Sequence, residues 1–384
     1  MYAKPRASTR YVSHTYTNLS LEYGAMKRRA RKPRSLPGLD LIKTVNAYLS
    51  ELSTAAKAIG LIVLTATGIA AAFGFSTVAT QCSSPTPEPL QTFGLAGQRE
   101  VQDLPNGVKA AVGYYSPSDE LQHVVTADND DAVIERWFFG FGRAESERVL
   151  WKPESGRRIT RLAAYAASGG LPEHVIVALD DDTIHDLAFP AADFSVRSRI
   201  LAHVEQTVKL AAYYAPSDGL HHVLVATSKG DVHLISFAAD GDVDDRVVAH
   251  VADITGLAAY YAGNDGQQHV IVVTVDGELR EMAFATIDDV QEPVTIGHFD
   301  GISRIAAYYS EGDGSQRIVT IRDNGDVYQI RITAKGEAAA PGLLAHRSGI
   351  LAVSGYYARS DGLEHTVIAT NDRKLFEVWF PGSN

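Results

Sequence analysis

A tyrosine returns at nearly constant spacing through most of this chain, at Tyr114, Tyr165, Tyr213, Tyr260, Tyr308 and Tyr356, with intervals of 51, 48, 47, 48 and 48 residues. Each holds the same place in a recurring unit, of which residues 208–237 (VKLAAYYAPSDGLHHVLVATSKGDVHLISF) are a clear copy. A period in that range, with short strands inside it, marks an array built from one supersecondary unit. Such a unit cannot bury its apolar faces alone, so the fold follows from how the copies stack.

Inside a copy, residues 210–214 predict a first strand, Ser217-Asp218-Gly219 a turn, 222–227 a second strand, 232–237 a third and 246–251 a weaker fourth. Asp-Gly pairs accept the positive φ that tight hairpins need. Four short antiparallel strands repeated six times, with no helical pattern between them, predict an all-β fold, a six-bladed β-propeller whose ring protects its strand edges. The first strand of the middle copies is small at matching places: Ala163-Ala164, Ala211-Ala212, Ala258-Ala259 and Ala306-Ala307. Small side chains suit a crowded axis, so these strands are expected to be innermost. The last copy stops near Phe380 without room for a fourth strand, while residues 98–105 precede the first copy with the right length. They are expected to pair with the last blade, which sets the propeller at 98–384.

Formal charge is −11 and unevenly divided. Residues 1–57 hold 11 Lys/Arg and 3 Asp/Glu, leaving 24 and 43 for the rest, so the tail carries +8 and the remainder −19. An acidic repeat domain repels phosphate backbones, which argues against a nucleic-acid partner. From Ala58 runs AIGLIVLTATGIAAAFGFSTVAT, an uncharged stretch long enough as a helix to cross a bilayer. Residues 58–80 are therefore expected to form a single-pass transmembrane helix in the cell membrane. Its basic N-terminal flank would keep the tail, 1–57, cytoplasmic and the propeller outside. The alternatives are a cleaved signal peptide, which would make the protein secreted, and an apolar helix with no membrane role. Residues 81–97, rich in Pro and Ser, read as a semi-extended stalk. Within the tail, Leu39, Ile42, Val45, Leu49 and Leu52 give 37–56 helical amphipathicity. The single cysteine, Cys82, excludes an internal disulfide framework and a multi-cysteine zinc site.

Superposing the copies reveals a polar series at the start of the second strand: His123, His174, His222, His269, Arg317 and His365. Twelve residues on stand Glu135, Asp186, Leu234, Glu281, Gln329 and Glu377, and three further on Phe138, Phe189, Phe237, Phe284, Ile332 and Phe380. A turn midway brings the ends of such an interval together across neighbouring strands, where imidazole and carboxylate can hydrogen-bond. The pairs read either as architectural latches or as ligand contacts. A second series, His203, His250, His298 and His346, lies on the fourth strands and is expected to pack there. Asp240, Asp242 and Asp244 are spaced like the start of a calcium loop, but Asp245 replaces its glycine and Val251 its terminal glutamate. No metal and no cofactor is expected.

This pattern resembles the six-bladed fucose-specific lectins of fungi and bacteria, whose blade starts a strand with Arg, turns at Asp-Gly, and places Glu twelve and an aromatic fifteen residues after the Arg. Here Asp276-Gly277 and Asn324-Gly325 hold the turn place, while His fills the Arg place in all copies but the one with Arg317. The resemblance implies sugar pockets between blades. It makes His123, Glu135, His174, Asp186, His269, Glu281, Arg317, Gln329, His365 and Glu377 the carbohydrate-binding candidates. A neutral imidazole offers one donor where guanidinium offers a fork, so fucose specificity is not implied. The expected function is multivalent lectin-like recognition of extracellular glycans. The alternative is a protein-interaction or sensor ectodomain, suggested by the aromatics of the first copy (Trp137, Phe138, Phe139, Phe141, Trp151). Chemistry spread evenly over six copies is a poor basis for one active site, so no enzyme, and in particular no hydrolase, is expected.

Overall fold

The computed structural model describes residues 91–92, 97–138, 146–167, 171–189, 195–333 and 335–381. The tail, the apolar segment 58–80 and most of the stalk lie outside the described residues. Among those described, no helix is long and apolar enough to cross a membrane.

Six antiparallel sheets form six blades, numbered here from the first copy. The first strands, Ala110–Ser116, Ile159–Ala166, Thr207–Ala215, Ile254–Ala262, Ile302–Ser310 and Ile350–Ala358, together line a central cavity and are the innermost. In blades 1 to 5 the second, third and fourth strands follow outward in chain order. Blade 6 takes its outermost strand from the other end of the chain: Gly97–Asp103 pairs antiparallel with Lys374–Pro381. A two-residue strand, Gln91–Thr92, adds parallel to Gly342–His346 at the edge of blade 5, so this end of the stalk segment is part of a sheet.

The first hairpin turn of a blade is built by its aspartate. Asp218 Oδ1 accepts the backbone N–H of Leu220 at 2.9 Å, while Gly219 takes φ +72° and donates its N–H to the Ala215 carbonyl. Asp119, Asp265, Asp313 and Asp361 hold the same turn. In blade 1 the left-handed position is occupied by Glu120, at φ 61°.

Second strands such as Glu173–Leu179 are buried along their whole length. A blade is covered on both faces by its neighbours, so these strands read as continuous apolar runs rather than alternating ones. The core accordingly divides into six clusters, one at each junction. Phe189 of blade 2 packs with Tyr114 and Val125 of blade 1, and Phe237 of blade 3 with Tyr165 and Ile176 of blade 2. Phe138, Phe284, Ile332 and Phe380 repeat that contact at the other four junctions.

The recurring tyrosine supplies the one polar link found at every junction. Its hydroxyl reaches the residue that precedes the His/Arg position in the next blade: Tyr114 to Glu173 (2.9 Å), Tyr165 to His221 (3.1 Å), Tyr213 to Gln268 (2.6 Å), Tyr260 to Gln316 (3.0 Å) and Tyr308 to Glu364 (2.9 Å). Tyr356 to Gln122, at 3.2 Å, completes the circle. All six tyrosines are buried. Removing one hydroxyl strands a buried acceptor, which costs about 1–3 kcal/mol. Tyr213→Phe is expected to lower the urea stability of the chain by that amount while leaving its circular dichroism unchanged. A loss within experimental error would show that the Gln268 link is not structural.

Candidate functional site

The blade junctions assemble polar stacks, the fullest of them from four strands and a turn. At the junction of blades 6 and 1, His365 Nδ1 meets Glu377 at 2.8 Å and Nε2 meets the turn carboxylate of Asp361 at 3.1 Å. Tyr356 stacks on the imidazole, with centroids 5.2 Å apart and planes 5° from parallel. Glu377 is also paired with Arg99 from the closing strand, at 2.6 Å. The Arg99 guanidinium lies 5.1 Å from the ring centre of Phe138 on blade 1. The stack thus alternates charge from the outer strand inward: Arg, Glu, His, Asp.

The sequence candidates fall into this stack unequally. His123 with Glu135 (2.9 Å), His174 with Asp186 (2.7 Å), His269 with Glu281 (2.8 Å) and His365 with Glu377 are brought together. Arg317 and Gln329 instead converge on Glu364 of the next blade, at 3.1 Å and 2.7 Å, and Arg317 also holds the turn residue Asp313. His222, whose third-strand counterpart is Leu234, bonds Ser236 at 2.9 Å. All ten candidates are buried except Glu281, whose carboxylate has no arginine over it among the described residues and is 11% exposed.

Two fixed offsets in the sequence escaped the candidate list. Arginines of the outer strands cover the carboxylates of blades 1, 2 and 6: Arg148 on Glu135 (2.6 Å), Arg199 on Asp186 (3.3 Å) and Arg99 on Glu377. They also overlie the phenylalanine of the following blade. The turn aspartates, four residues before the His/Arg position, cap Nε2 of His123, His222, His269 and His365. In blade 2 that place is Gly170, and Nε2 of His174 is buried without a hydrogen-bond partner among the described residues. The fourth-strand histidines His250, His298 and His346 do not pack as expected. They are more than half exposed and pair with Asp231, Asp300 and Asp326, because the outer strands face solvent.

These partners decide the charge on each imidazole. Burial opposes protonation of His123, but hydrogen bonds to Asp119 and Glu135 outweigh it and push its pKa up to about 9. His365 is raised for the same reason, between Asp361 and Glu377. His222 lacks the second carboxylate, so burial wins and its pKa falls. His221 drops to about 3 through burial and the nearby His174. Asp119, His123 and Glu173 place one nitrogen and two carboxylate oxygens within 4.8 Å of one another, a donor set a divalent ion could use. Here His123 already pairs with Asp119 through Nε2.

The side of each junction that meets solvent is different in kind. Asp119, Asp218 and Asp265 are 22–34% exposed although their carboxylates are fixed from behind. Beside them stand half-buried tyrosines, the second of each Tyr pair. Tyr357 lies so close to Gly312 in the turn of blade 5 that a Cβ there would come within 2.7 Å of its ring. Burial, Glu311 and Asp265 of the preceding blade all raise the pKa of Tyr309. Tyr115, Tyr214, Tyr261, Tyr309 and Tyr357 ring the central cavity, of about 390 Å3.

No protein-family model and no curated protein matches the chain. Solved structures do. AofleA from Arthrobotrys oligospora aligns with a TM-score of 0.58 at 11% identity, over 74% of this chain and 85% of its own. BP39L lectin from Burkholderia pseudomallei gives 0.55 at 16%, over 72% and 82%. The Aleuria aurantia lectin, a six-bladed β-propeller described with a fucose recognition mode, gives 0.52 at 15%, over 74% and 96%. The chain shares the fold of the fucose-specific lectins. At these identities the likeness is one of architecture.

Neutral His221 ties acid stability to one side chain. Its folded pKa, about 3, lies below the unfolded value of 6.5, so its contribution is intact above pH 6.5 and declines as pH falls toward 3. His221→Gln places at this junction the residue that already accepts the tyrosine in blades 1, 4 and 5. The variant is expected to gain on wild type by about 1.4 kcal/mol per pH unit below 6.5 in urea titrations. Parallel pH profiles would overturn the assignment.

Proposed function

We propose that the propeller is a non-catalytic recognition module that binds glycans at its blade junctions, held outside the cell by the segment 58–80. The observation that carries this reading is the pairing, at the solvent side of the junctions, of a pre-organised carboxylate with a tyrosine ring from the next blade. Sugars are bound by that combination: a carboxylate accepts hydrogen bonds from adjacent hydroxyls, and an aromatic face packs against the C–H face of the ring. The turn aspartates need no rearrangement to do this, because backbone N–H groups and the His or Arg behind them already set their orientation. The buried His/carboxylate pairs act one layer below, as the support that fixes the aspartate. The lectin fold of the structural neighbours supports the same reading.

Several near-equivalent sites on one ring would add weak contacts into avidity where the ligand repeats its epitope. The first-copy aromatics give little support to a protein-docking face: Phe138 is fully buried and Trp151 packs on His185 at 5.3 Å. On a glycan array, the full chain is expected to bind at least one class of neutral, hydroxyl-rich glycan. Asp218→Asn, Asp265→Asn and Asp361→Asn combined should lower that signal by about tenfold or more while the chain stays folded. Binding to no class would remove the reading; unchanged binding by the folded triple variant would move the site away from the turns.

A further inference from the structure

The axial channel has two chambers. Ala111, Leu162, Leu210, Leu257, Ile305 and Val353, one from each blade, line both and form an apolar girdle between them. The tyrosine-ringed chamber lies on one side. The other, of about 300 Å3, is lined by the starting ends of the innermost strands, and its charged lining is Lys109, Arg161, Lys209 and Arg304. No carboxylate lines it among the described residues.

Three of these cations share one position, four residues before the recurring tyrosine. The six copies read Ala110, Arg161, Lys209, Gly256, Arg304 and Ala352 there, so three long cations share the axis with three small residues that leave them room. Lys109, one residue earlier, pairs with Asp131 at 2.6 Å. Arg161, Lys209 and Arg304 pair with no carboxylate among the described residues, in a domain where acidic residues are in large excess. The two guanidinium groups are nonetheless fixed. Arg161 Nε donates to the Val208 carbonyl and Arg304 Nε to the Leu351 carbonyl, each at 2.6 Å and each across a blade junction. The Lys209 ammonium has no hydrogen-bond partner among the described residues. Its pKa is brought down to about 8 by burial and by the charges of Arg161 and Arg304. Like charges gathered in a confined space repel one another unless a counter-charge is supplied.

We propose that this chamber is an anion site, in which Arg161, Lys209 and Arg304 take one small oxyanion: a phosphate, a sulfate or the carboxylate of an acidic sugar. Two rigid guanidinium groups give the oxygens directed donors, and the lysine adds a movable charge. The Thr160 and Thr255 hydroxyls already donate to strand carbonyls, so recognition rests on the cations. The apolar girdle confines the anion to this end of the axis. The site shares no residue with the turn aspartates and tyrosines of the glycan reading and does not depend on it.

The test is the thermal unfolding of the full chain in inorganic phosphate, in sulfate and in glucuronate, each against sodium chloride of equal ionic strength. Near saturation the bound anion is expected to raise the midpoint by about 1–3 °C. Lys209→Met should abolish that increment and, having removed an uncompensated charge, unfold no earlier than wild type in chloride alone. Lys209→Gln serves as the second variant should the first fail to fold. A response to glucuronate above the response to phosphate assigns the site to acidic sugars, and the reverse assigns it to inorganic anions. No increment with any of the three, or the same increment in wild type and variant, overturns the proposal.

Discussion

A hydrogen bond from a buried tyrosine hydroxyl to the next blade is the constraint around which this ring is organised. Apolar contacts between blades could slide, since Phe, Val and Ile surfaces accept many registers. The phenol cannot, because a buried hydroxyl or its acceptor left without a partner is costly in a dry junction. One bond per junction therefore fixes how far each blade is rotated and raised against its neighbour. Stacking of the same tyrosine on the imidazole of its own blade, seen at Tyr114, Tyr165, Tyr213, Tyr260 and Tyr356, fixes the donor in turn.

The acceptor is what varies, and its charge is matched by the residues around it. Four junctions use a neutral acceptor, from Gln122, His221, Gln268 or Gln316. The other two use Glu173 and Glu364. In blade 5, which donates to Glu364, the usual histidine is Arg317 and the usual carboxylate is Gln329, so a permanent cation meets the added negative charge. At Glu173 the counter-charge is His123, 4.0 Å away and held protonated by its own carboxylates. The same two blades carry Ser116 and Ser310 two residues after the tyrosine, where the others carry alanine. Departures from the repeat are thus local sets of changes rather than isolated substitutions.

Blade number, strand order and the innermost position of the alanine-rich strands were legible because period and side-chain size report directly on packing. The His/carboxylate spacing was legible too, since a hairpin turn of fixed length brings those ends together. The exception was Arg317, which faces the next blade instead of Gln329. Contacts between copies do not appear as a spacing within one copy: the Tyr213 to Gln268 bond spans 55 residues. The covering arginines 99, 148 and 199 recur with the period, but their role emerges only when the outer strand of one blade is laid against the phenylalanine of the next. The fourth-strand histidines misled for a related reason, since strand membership alone does not tell which side of an outer strand meets water.

The strand Gly97–Asp103 has a consequence for the order in which this molecule can be made. Its partner, Lys374–Pro381, follows every other described strand in the chain, so the seam can be sealed only after all of those strands have been synthesised. Until then blade 6 lacks a strand, and the face that will receive Phe138 is unformed. The nascent protein therefore passes through a stage with an open sheet edge, when self-association or a chaperone would compete most strongly with closure.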